Sequence, residues 1–181
     1  MKNAGETVFL SLGSNVGDRE FNIEEALGRL DLLGTGLKAS RIYETEPMHF
    51  RAQPFFLNCV ASLQWDARPY DLLDCLKSLE REFGRRKNRR FGPRPLDIDI
   101  LLWGKEILVS PRLIIPHPRL GERRFVLLPL LELDPHARDP VAGIPYWKKL
   151  LQAPKALVYF YSFSRYTLRQ AALHKISVKE L

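Results

Sequence analysis

Two amphipathic segments, each ended by a glycine and set between strand-like segments, constrain the fold of this chain more than any other feature. Apolar residues recur every three or four positions over 23–33, ahead of Gly34, and over 72–83, ahead of Gly84. This spacing predicts two helices that each bury one face, and Asp18 is a candidate cap for the first. Strand-like segments lie before, between and after these helices, at 7–12, 37–44, 55–65 and 96–103.

The resulting order, β-α-β-β-α-β, predicts the fold class. It is typical of an α+β protein with a ferredoxin-like split βαβ sandwich, in which helices back one antiparallel sheet. The 181 residues, 45% apolar and 27% charged, are enough to bury one core. Both cysteines, Cys59 and Cys75, lie in apolar segments, so we expect reduced thiols and no disulfide framework.

The C-terminal part of the chain is less regular. Residues 124–133 predict a short apolar helix interrupted at Pro129. We expect residues 1–155 to form the main domain and residues 156–181 to form a C-terminal extension. That extension, rich in aromatic and basic residues, is either an extra strand followed by a helix within the same domain or a docking tail.

The net charge of +7 is unevenly distributed. Residues 81–94 hold seven Arg and Lys against one acid, and so do residues 145–181, which leaves the rest of the chain net acidic. A mildly acidic body with one dense basic stretch predicts a focused site for a polyanion, either a nucleotide or a nucleic acid. Composition alone does not choose between the two.

A pair of aspartates follows the first basic stretch directly. The alternation at the start of segment 96–103 places Asp97 and Asp99 on one face of a strand. A bare Asp-x-Asp pair is more often two exposed side chains on an edge strand. Here the adjacent arginines favour a site that holds divalent cations and a polyphosphate, because phosphoryl transfer spreads negative charge over several oxygens.

The basic loop 85–94 is not expected to be helical, because Gly84, Gly92 and Pro93 bracket it. It therefore cannot present a fixed helix face to a DNA groove, and a loop that closes over phosphates fits better. The chain has no Walker-type GxxxxGK[ST] sequence, so we expect the phosphates to be held in another way.

Aromatic and amide side chains suggest a second ligand. Phe56, Asn58 and the distant Phe125 offer rings and an amide that suit a flat heterocycle, although phenylalanines in a strand are more often plain core. His117, between two prolines and ahead of several arginines, is a candidate phosphate contact; a lone histidine is more often structural or exposed.

Five ordered blocks between about Val8 and Leu151 together resemble one known family. They resemble 6-hydroxymethyl-7,8-dihydropterin pyrophosphokinase of folate biosynthesis. The blocks are FLSLGSNVGD at 9–18, ETEP at 44–47, QPFFLN at 53–58, RFGPRPLDIDI at 90–100, and IPHPRL at 115–120 running on to Phe125.

The resemblance implies transfer of the β,γ-diphosphate of ATP to the hydroxymethyl group of a reduced pterin, with release of AMP and with two Mg²⁺ ions. Either Arg86 or Lys87 takes the second catalytic position of the mobile loop, and no residue is assigned as general base. The implied catalytic residues are Arg85, Arg86, Lys87 and Arg94; the metal ligands are Asp97 and Asp99; the pterin site comprises Thr45, Pro47, Met48, Phe56, Asn58 and Phe125; and the ATP site comprises Glu80, Phe91, Arg94, Ile98, Arg112, His117 and Arg123.

Two other functions compete with this one. A nucleic-acid-binding ferredoxin-like module is disfavoured because the chain lacks a [KR]-G-[FY]-[GA]-[FY] segment, and a nucleotide-sugar transferase leaves the pterin blocks unexplained. We expect small-molecule partners, ATP and a reduced pterin, with no nucleic acid and no membrane. We also expect a monomer, an association with dihydropteroate synthase, and a cytoplasmic location, since the start of the chain lacks an apolar secretory segment.

Overall fold

The computed structural model describes residues 5–48, 52–84 and 92–173. Within them, eight strands and five α-helices follow one another along the chain. They are β1 (Glu6–Ser14), α1 (Arg19–Leu33), β2 (Thr35–Ala39), β3 (Ile42–Thr45), β4 (Phe56–Trp65), α2 (Pro69–Glu82), β5 (Asp97–Trp103), β6 (Leu108–Val109), β7 (Ile114–Ile115), α3 (Arg124–Leu133), α4 (Tyr146–Gln152), β8 (Val158–Ser162) and α5 (Arg165–Leu173).

The main sheet confirms the predicted fold. Its strands run antiparallel in the order β5-β1-β4-β3-β8, and β2 also pairs with β4. Helix α1 follows β1 and helix α2 lies between β4 and β5 in sequence, while β1 is the strand that pairs with both β4 and β5. This is the connectivity of a ferredoxin-like split βαβ sandwich. A separate two-stranded sheet joins β6 to β7.

Both predicted helices of the sandwich begin and end where the sequence indicates. Asp18 caps α1, its Oδ1 accepting from the backbone N–H of Phe21 at 3.0 Å. At the other end, the N–H of Gly34 donates to the carbonyl of Leu30. Helix α2 buries its apolar stripe and runs to Glu82, just ahead of Gly84.

Each face of the sheet has its own core, because successive residues of a strand point to opposite faces. On one face Leu10, Cys59 and Ile98 pack with Ile23 of α1 and Leu76 of α2. Ile98, between the two aspartates in sequence, therefore points into the core while they point to the other face. Burial also raises the pKa of the Cys59 thiol, so this cysteine is protonated and unreactive in the folded state.

The opposite face carries the second core at one end. Val60 of β4 and Leu101 of β5 pack there against Val126 and Leu130 of α3 and Tyr146 of α4. Two residues further along the same face, these strands present polar and charged side chains. The candidate site lies at that end of the sheet.

Segment 37–44 is two strands rather than the one predicted. The N–H of Ser40 donates to the carbonyl of Val60, but the N–H of Val60 donates to the Ser40 hydroxyl. A side chain thus replaces the backbone carbonyl of Ser40 in the ladder. That carbonyl accepts instead from Thr167 of α5, and the strand divides into β2 and β3.

The predicted interruption at Pro129 is wrong. Helix α3 runs without a break from Arg124 to Leu133 with Pro129 inside it. A proline removes one hydrogen bond from a helix. Burial of Val126, Leu127 and Leu130 on either side of Pro129 holds α3 in place despite that loss.

The extension contains a strand and a helix in its described part. Strand β8 pairs with β3 at the edge of the main sheet, and the Arg165 guanidinium and backbone at the start of α5 both donate to Glu24 of α1. Thr167 donates to the carbonyls of Ala39 and Ser40. Within residues 5–48, 52–84 and 92–173, none of the helices has the length and apolar character needed to cross a membrane.

Candidate active site

A cavity of about 290 Å³ opens on the polar end of the sheet. Strands β1, β3, β4 and β5, the connection from β3 to β4, and the start of α3 all contribute to its lining. Ten residues that the sequence predicted for the site line this cavity: Thr45, Met48, Phe56, Asn58, Arg94, Asp97, Asp99, His117, Arg123 and Phe125.

The strand register brings the two ends of the cavity together across a glycine. Gly13 of β1 lies opposite Asn58 of β4 on one side and opposite Asp97 of β5 on the other. A Cβ at Gly13 would lie 2.9 Å from the Asn58 Oδ1 and 3.8 Å from the Phe56 ring. Any larger residue at position 13 would therefore push into the Asn58 amide and fill the floor of the cavity.

The carboxylates of Asp97 and Asp99 stand side by side on β5, 23% and 32% exposed. Asp97 Oδ2 accepts from the Arg94 guanidinium at 2.8 Å. Asp99 Oδ2 lies 3.5 Å from Arg123 Nη1 and 3.8 Å from His117 Nε2. Each carboxylate thus faces at least one cationic or imidazole group: Arg94 from the adjacent basic stretch at Asp97, and Arg123 and His117 from a later part of the chain at Asp99.

These carboxylates fit a magnesium ion. The described part of the chain has no group of three or more His, Cys, Asp or Glu that could enclose a metal by itself, so the two aspartates would be a partial set of ligands. Mg²⁺ prefers oxygen ligands, keeps several waters, and is commonly bound by one or two carboxylates together with substrate phosphates. Asp97 and Asp99 supply such a partial set, which leaves positions for phosphate oxygens.

His117 is held by its neighbours in a defined tautomer. Its backbone N–H donates to the carbonyl of Leu101, and its Nδ1 accepts from the backbone N–H of Arg119 at 3.1 Å. The proton therefore sits on Nε2, which faces Asp99. Burial lowers the pKa of His117; Asp99 raises it, and Arg123 and Arg119 lower it. The lowered pKa favours the neutral imidazole, whose Nε2–H points toward Asp99 Oδ2 at 3.8 Å.

Arg123, which lines the cavity, has a buried donor without a partner among the described residues. Its Nε is buried and has no hydrogen-bond partner among residues 5–48, 52–84 and 92–173. Burial lowers the pKa of Arg123, and Asp99 opposes that effect. A buried N–H without an acceptor is costly, so this guanidinium suits an anionic ligand that accepts from it.

The other end of the cavity is aromatic. Phe56 and Phe125 are half-buried, and Phe125 also packs against the second core. Between them in the fold, the buried Asn58 donates from Nδ2 to the Thr45 hydroxyl at 2.7 Å, which fixes the orientation of the amide. The Arg123 guanidinium lies 5.9 Å from the Phe125 ring centre and joins this end to the charged end.

Four other predicted residues with described positions lie outside the cavity lining. Pro47 is buried beside it. The Ile98 side chain lies on the opposite face of the sheet, and Glu80, also buried, accepts from the Ile98 backbone N–H. Arg112 is on the surface, 2.6 Å from the Asp74 carboxylate. Arg85, Arg86, Lys87 and Phe91 lie outside the described residues.

Four lining residues were not predicted: Ser11, Gly13, Glu46 and Gln53. All four fall within the sequence blocks that carry the family resemblance. Nothing in the local pattern marks them individually, because they reach the cavity through strand register and through the path of the β3–β4 connection.

The fold and the cavity together define a class of protein: a ferredoxin-like α+β protein whose sheet carries paired carboxylates, arginines and an aromatic pocket at one end. Comparison with known proteins narrows that class. The family model of 7,8-dihydro-6-hydroxymethylpterin-pyrophosphokinase matches residues 9–135. The chain belongs to this family.

Curated relatives include both short and long proteins. A 2-amino-4-hydroxy-6-hydroxymethyldihydropteridine pyrophosphokinase of Bacillus subtilis is 42% identical over 150 residues, which cover 78% of this chain and 90% of the relative. A folate synthesis bifunctional protein of Arabidopsis thaliana is 48% identical over 80% of this chain but only 31% of the relative. This chain thus spans about a third of the length of that bifunctional relative.

Solved structures share the fold. A Plasmodium falciparum HPPK-DHPS triple mutant with pteroate superposes with a TM-score of 0.66 over 99% of this chain and 46% of that chain, at 15% identity. An HPPK-DHPS in complex with substrates gives the same TM-score over 83% of this chain and 43% of that chain, at 14% identity.

Proposed function

We propose that this chain transfers the β,γ-diphosphate of ATP to the hydroxymethyl group of 6-hydroxymethyl-7,8-dihydropterin and releases AMP. The observation that carries the proposal is a single cavity with an aromatic, amide-lined end and an end built from carboxylates and guanidinium groups. Family membership and the named relatives support the same reaction. One end suits a flat heterocycle and the other suits a polyphosphate.

The reaction is a displacement at phosphorus. The hydroxymethyl oxygen forms a bond to the β-phosphorus, the bond from that phosphorus to the α,β-bridging oxygen breaks, and the hydroxyl proton is lost. AMP leaves with the bridging oxygen. Such a reaction depends on alignment and on charge neutralisation, and needs no covalent intermediate on the protein.

We infer that two Mg²⁺ ions bind at Asp97 and Asp99. Bound magnesium would neutralise phosphate charge and orient the transferred group. The protein's own contribution is to hold the two carboxylates next to each other, and Arg94 and Arg123 beside them. The position of Arg123 in the cavity lining, 3.5 Å from Asp99 and with a buried Nε that has no partner among the described residues, supports a role in binding a phosphate oxygen.

At the aromatic end, Phe56 and Phe125 would stack on the pterin, while Asn58 would bond its edge. The Thr45 hydroxyl holds the Asn58 amide in one orientation. A fixed amide favours binding of a heterocycle whose edge has matching donors and acceptors over one that lacks them. By resemblance we assign Arg85 and either Arg86 or Lys87 to the loop that closes over the phosphates. We assign no general base.

The assembly and location of the protein stay predictions. The names of the structural relatives join HPPK to DHPS in one chain, which supports an association of this chain with dihydropteroate synthase. We infer a monomer for the catalytic unit. The pairing of β8 with β3 supports placing the described part of the extension, residues 156–173, in the same domain as the main sheet. A cytoplasmic location stays an expectation from the sequence.

Nucleotide analysis tests the proposed reaction. The protein is incubated with ATP, Mg²⁺ and the reduced hydroxymethylpterin, and the nucleotides are separated by ion-exchange chromatography. We expect AMP only when the pterin is present, and none with Asp97→Ala. Formation of ADP, or AMP formation that does not depend on the pterin, would contradict the proposal.

A further inference from the structure

One buried side chain connects the two ends of the cavity. Asn15, in the turn after β1, is 1% exposed. Its Oδ1 accepts from the Arg94 backbone N–H at 2.8 Å, and its own backbone N–H donates to the Arg94 carbonyl at 3.1 Å. Its Nδ2 donates to Gln53 Oε1 at 3.0 Å and to the Pro54 carbonyl at 3.2 Å.

The two segments that Asn15 joins serve different ends of the cavity. Gln53 and Pro54 belong to the connection that leads from Thr45 to Phe56, and Gln53 lines the cavity itself. Arg94 leads into β5 and donates to Asp97 at 2.8 Å. A displacement of the β3–β4 connection is therefore transmitted to Arg94 and Asp97 through the hydrogen bonds of the Asn15 side chain.

The amide group is needed for both contacts at once. An aspartate at position 15 keeps the acceptor for the Arg94 N–H, but presents an oxygen to the two oxygens of Gln53 and Pro54. An alanine removes the side-chain contacts on both sides and leaves only the backbone hydrogen bond from residue 15 to the Arg94 carbonyl. Because Asn15 is buried, water does not readily replace either hydrogen bond.

We propose that Asn15 is a positioning residue that couples nucleotide binding at the Arg94–Asp97 end to pterin binding at the aromatic end. The inference rests on the proposed function, because it needs both substrates in this cavity. A nucleotide that contacts Arg94 and restrains it further also restrains Gln53 and Pro54 through Asn15, so less conformational freedom is lost when the pterin binds. Coupling of this kind is reciprocal, and its usual size is roughly 5- to 150-fold in affinity.

The chain offers a matched control. Asn22 also ties the turn after β1 to the segment before β5, donating to the carbonyls of Val16 and Pro95 and to the Ser14 hydroxyl. Its side-chain hydrogen bonds within the described residues do not reach the β3–β4 connection. A substitution of Asn22 therefore loosens the same turn without cutting the link between the two ends.

Calorimetric titration measures the coupling directly. The dissociation constant of 6-hydroxymethyl-7,8-dihydropterin is measured with Mg²⁺, with and without an ATP analogue that has a methylene group between the α- and β-phosphorus atoms and so cannot release AMP. We expect the analogue to tighten pterin binding at least about fivefold in the unmodified chain and in Asn22→Ala. The ratio of the pterin dissociation constant without the analogue to that with it measures the coupling. In Asn15→Ala and Asn15→Asp, we expect this ratio to fall below about two.

The outcomes separate coupling from stability and from the proposed function. A purely structural role for Asn15 would lower the melting temperature and leave the ratio unchanged, which would overturn the inference. Asn15→Asp, close in shape to asparagine, supplies the measurement if Asn15→Ala does not fold. If the unmodified chain binds both ligands with a ratio near one, the inference is wrong and the proposed function stands. If it binds no pterin at all, both are wrong.

Discussion

Glu80 provides a direct test of how the fold holds the two candidate metal ligands. Its side chain is 2% exposed, and its Oε1 accepts from the Ile98 backbone N–H at 2.8 Å and from Lys77 Nζ at 2.9 Å. Ile98 lies between Asp97 and Asp99 on β5. Glu80 therefore anchors β5 to α2 at the point where the carboxylates are presented, although the family resemblance assigns it to the ATP site.

The expected cost of replacing Glu80 follows from these two contacts. In Glu80→Leu the buried Ile98 N–H loses its acceptor, which costs ~1–3 kcal/mol in the free energy of unfolding. Loss of the Lys77 ion pair adds less than ~1 kcal/mol, because Lys77 is 40% exposed. Glu80→Gln keeps an acceptor for Ile98, so we expect a loss of only ~1 kcal/mol, the difference between a charged and a neutral hydrogen bond.

Urea denaturation followed by circular dichroism measures these differences. Asp74→Asn is the matched control, because Asp74 lies on the same helix and is ion-paired to Arg112, but both side chains are more than half exposed. We expect it to change stability by less than ~0.5 kcal/mol. Turnover should also fall in Glu80→Leu as the carboxylates lose their alignment. If Glu80→Leu is as stable as Asp74→Asn, Glu80 does not anchor β5.

Three further changes test the site and the core. Phe56→Ala and Phe125→Ala should each weaken pterin binding by ~1–3 kcal/mol in calorimetric titration; a loss of ~3–5 kcal/mol in stability with unchanged affinity would instead identify the rings as core. Asp97→Ala and Asp99→Ala should abolish turnover while the melting temperature stays close to that of the unmodified chain, and near-normal turnover with magnesium would refute the metal assignment. Burial raises the pKa of Cys59, so as the pH rises the thiol ionises in the unfolded chain before it ionises in the folded one. The free energy of unfolding should therefore fall as the pH rises past about 8.5, and should fall less in Cys59→Ala. Equal pH dependence in the two proteins would contradict this.

Local periodicity predicted the parts of the fold that depend on local contacts. The spacing of apolar residues placed α1 and α2, and the period of two placed Asp97 and Asp99 on one face of β5. The division of segment 37–44 depends on Ser40 bonding to Val60, twenty residues away. The pairing of β8 with β3 likewise joins segments more than a hundred residues apart. No local pattern reports such contacts.

The candidate site shows the same limit. Its charged and aromatic side chains were recognisable by type and by resemblance, whereas Gly13 and Gln53 acquire their positions only in the folded chain. Gly13 matters because Asn58 lies opposite it, and Gln53 because Asn15 holds it. Arg112, by contrast, was assigned to the ATP site by resemblance, and its side chain lies on the surface beside Asp74, outside the cavity lining.

The stoichiometry of the pterin product tests the central claim most directly. The protein is incubated with ATP, Mg²⁺ and 6-hydroxymethyl-7,8-dihydropterin, and the pterin is analysed by mass spectrometry while AMP is quantified in the same sample. We predict a pterin heavier by two phosphoryl groups, formed in equal amount to AMP. A pterin carrying a single phosphoryl group together with ADP, or a pterin unchanged while ATP is consumed, would contradict the account.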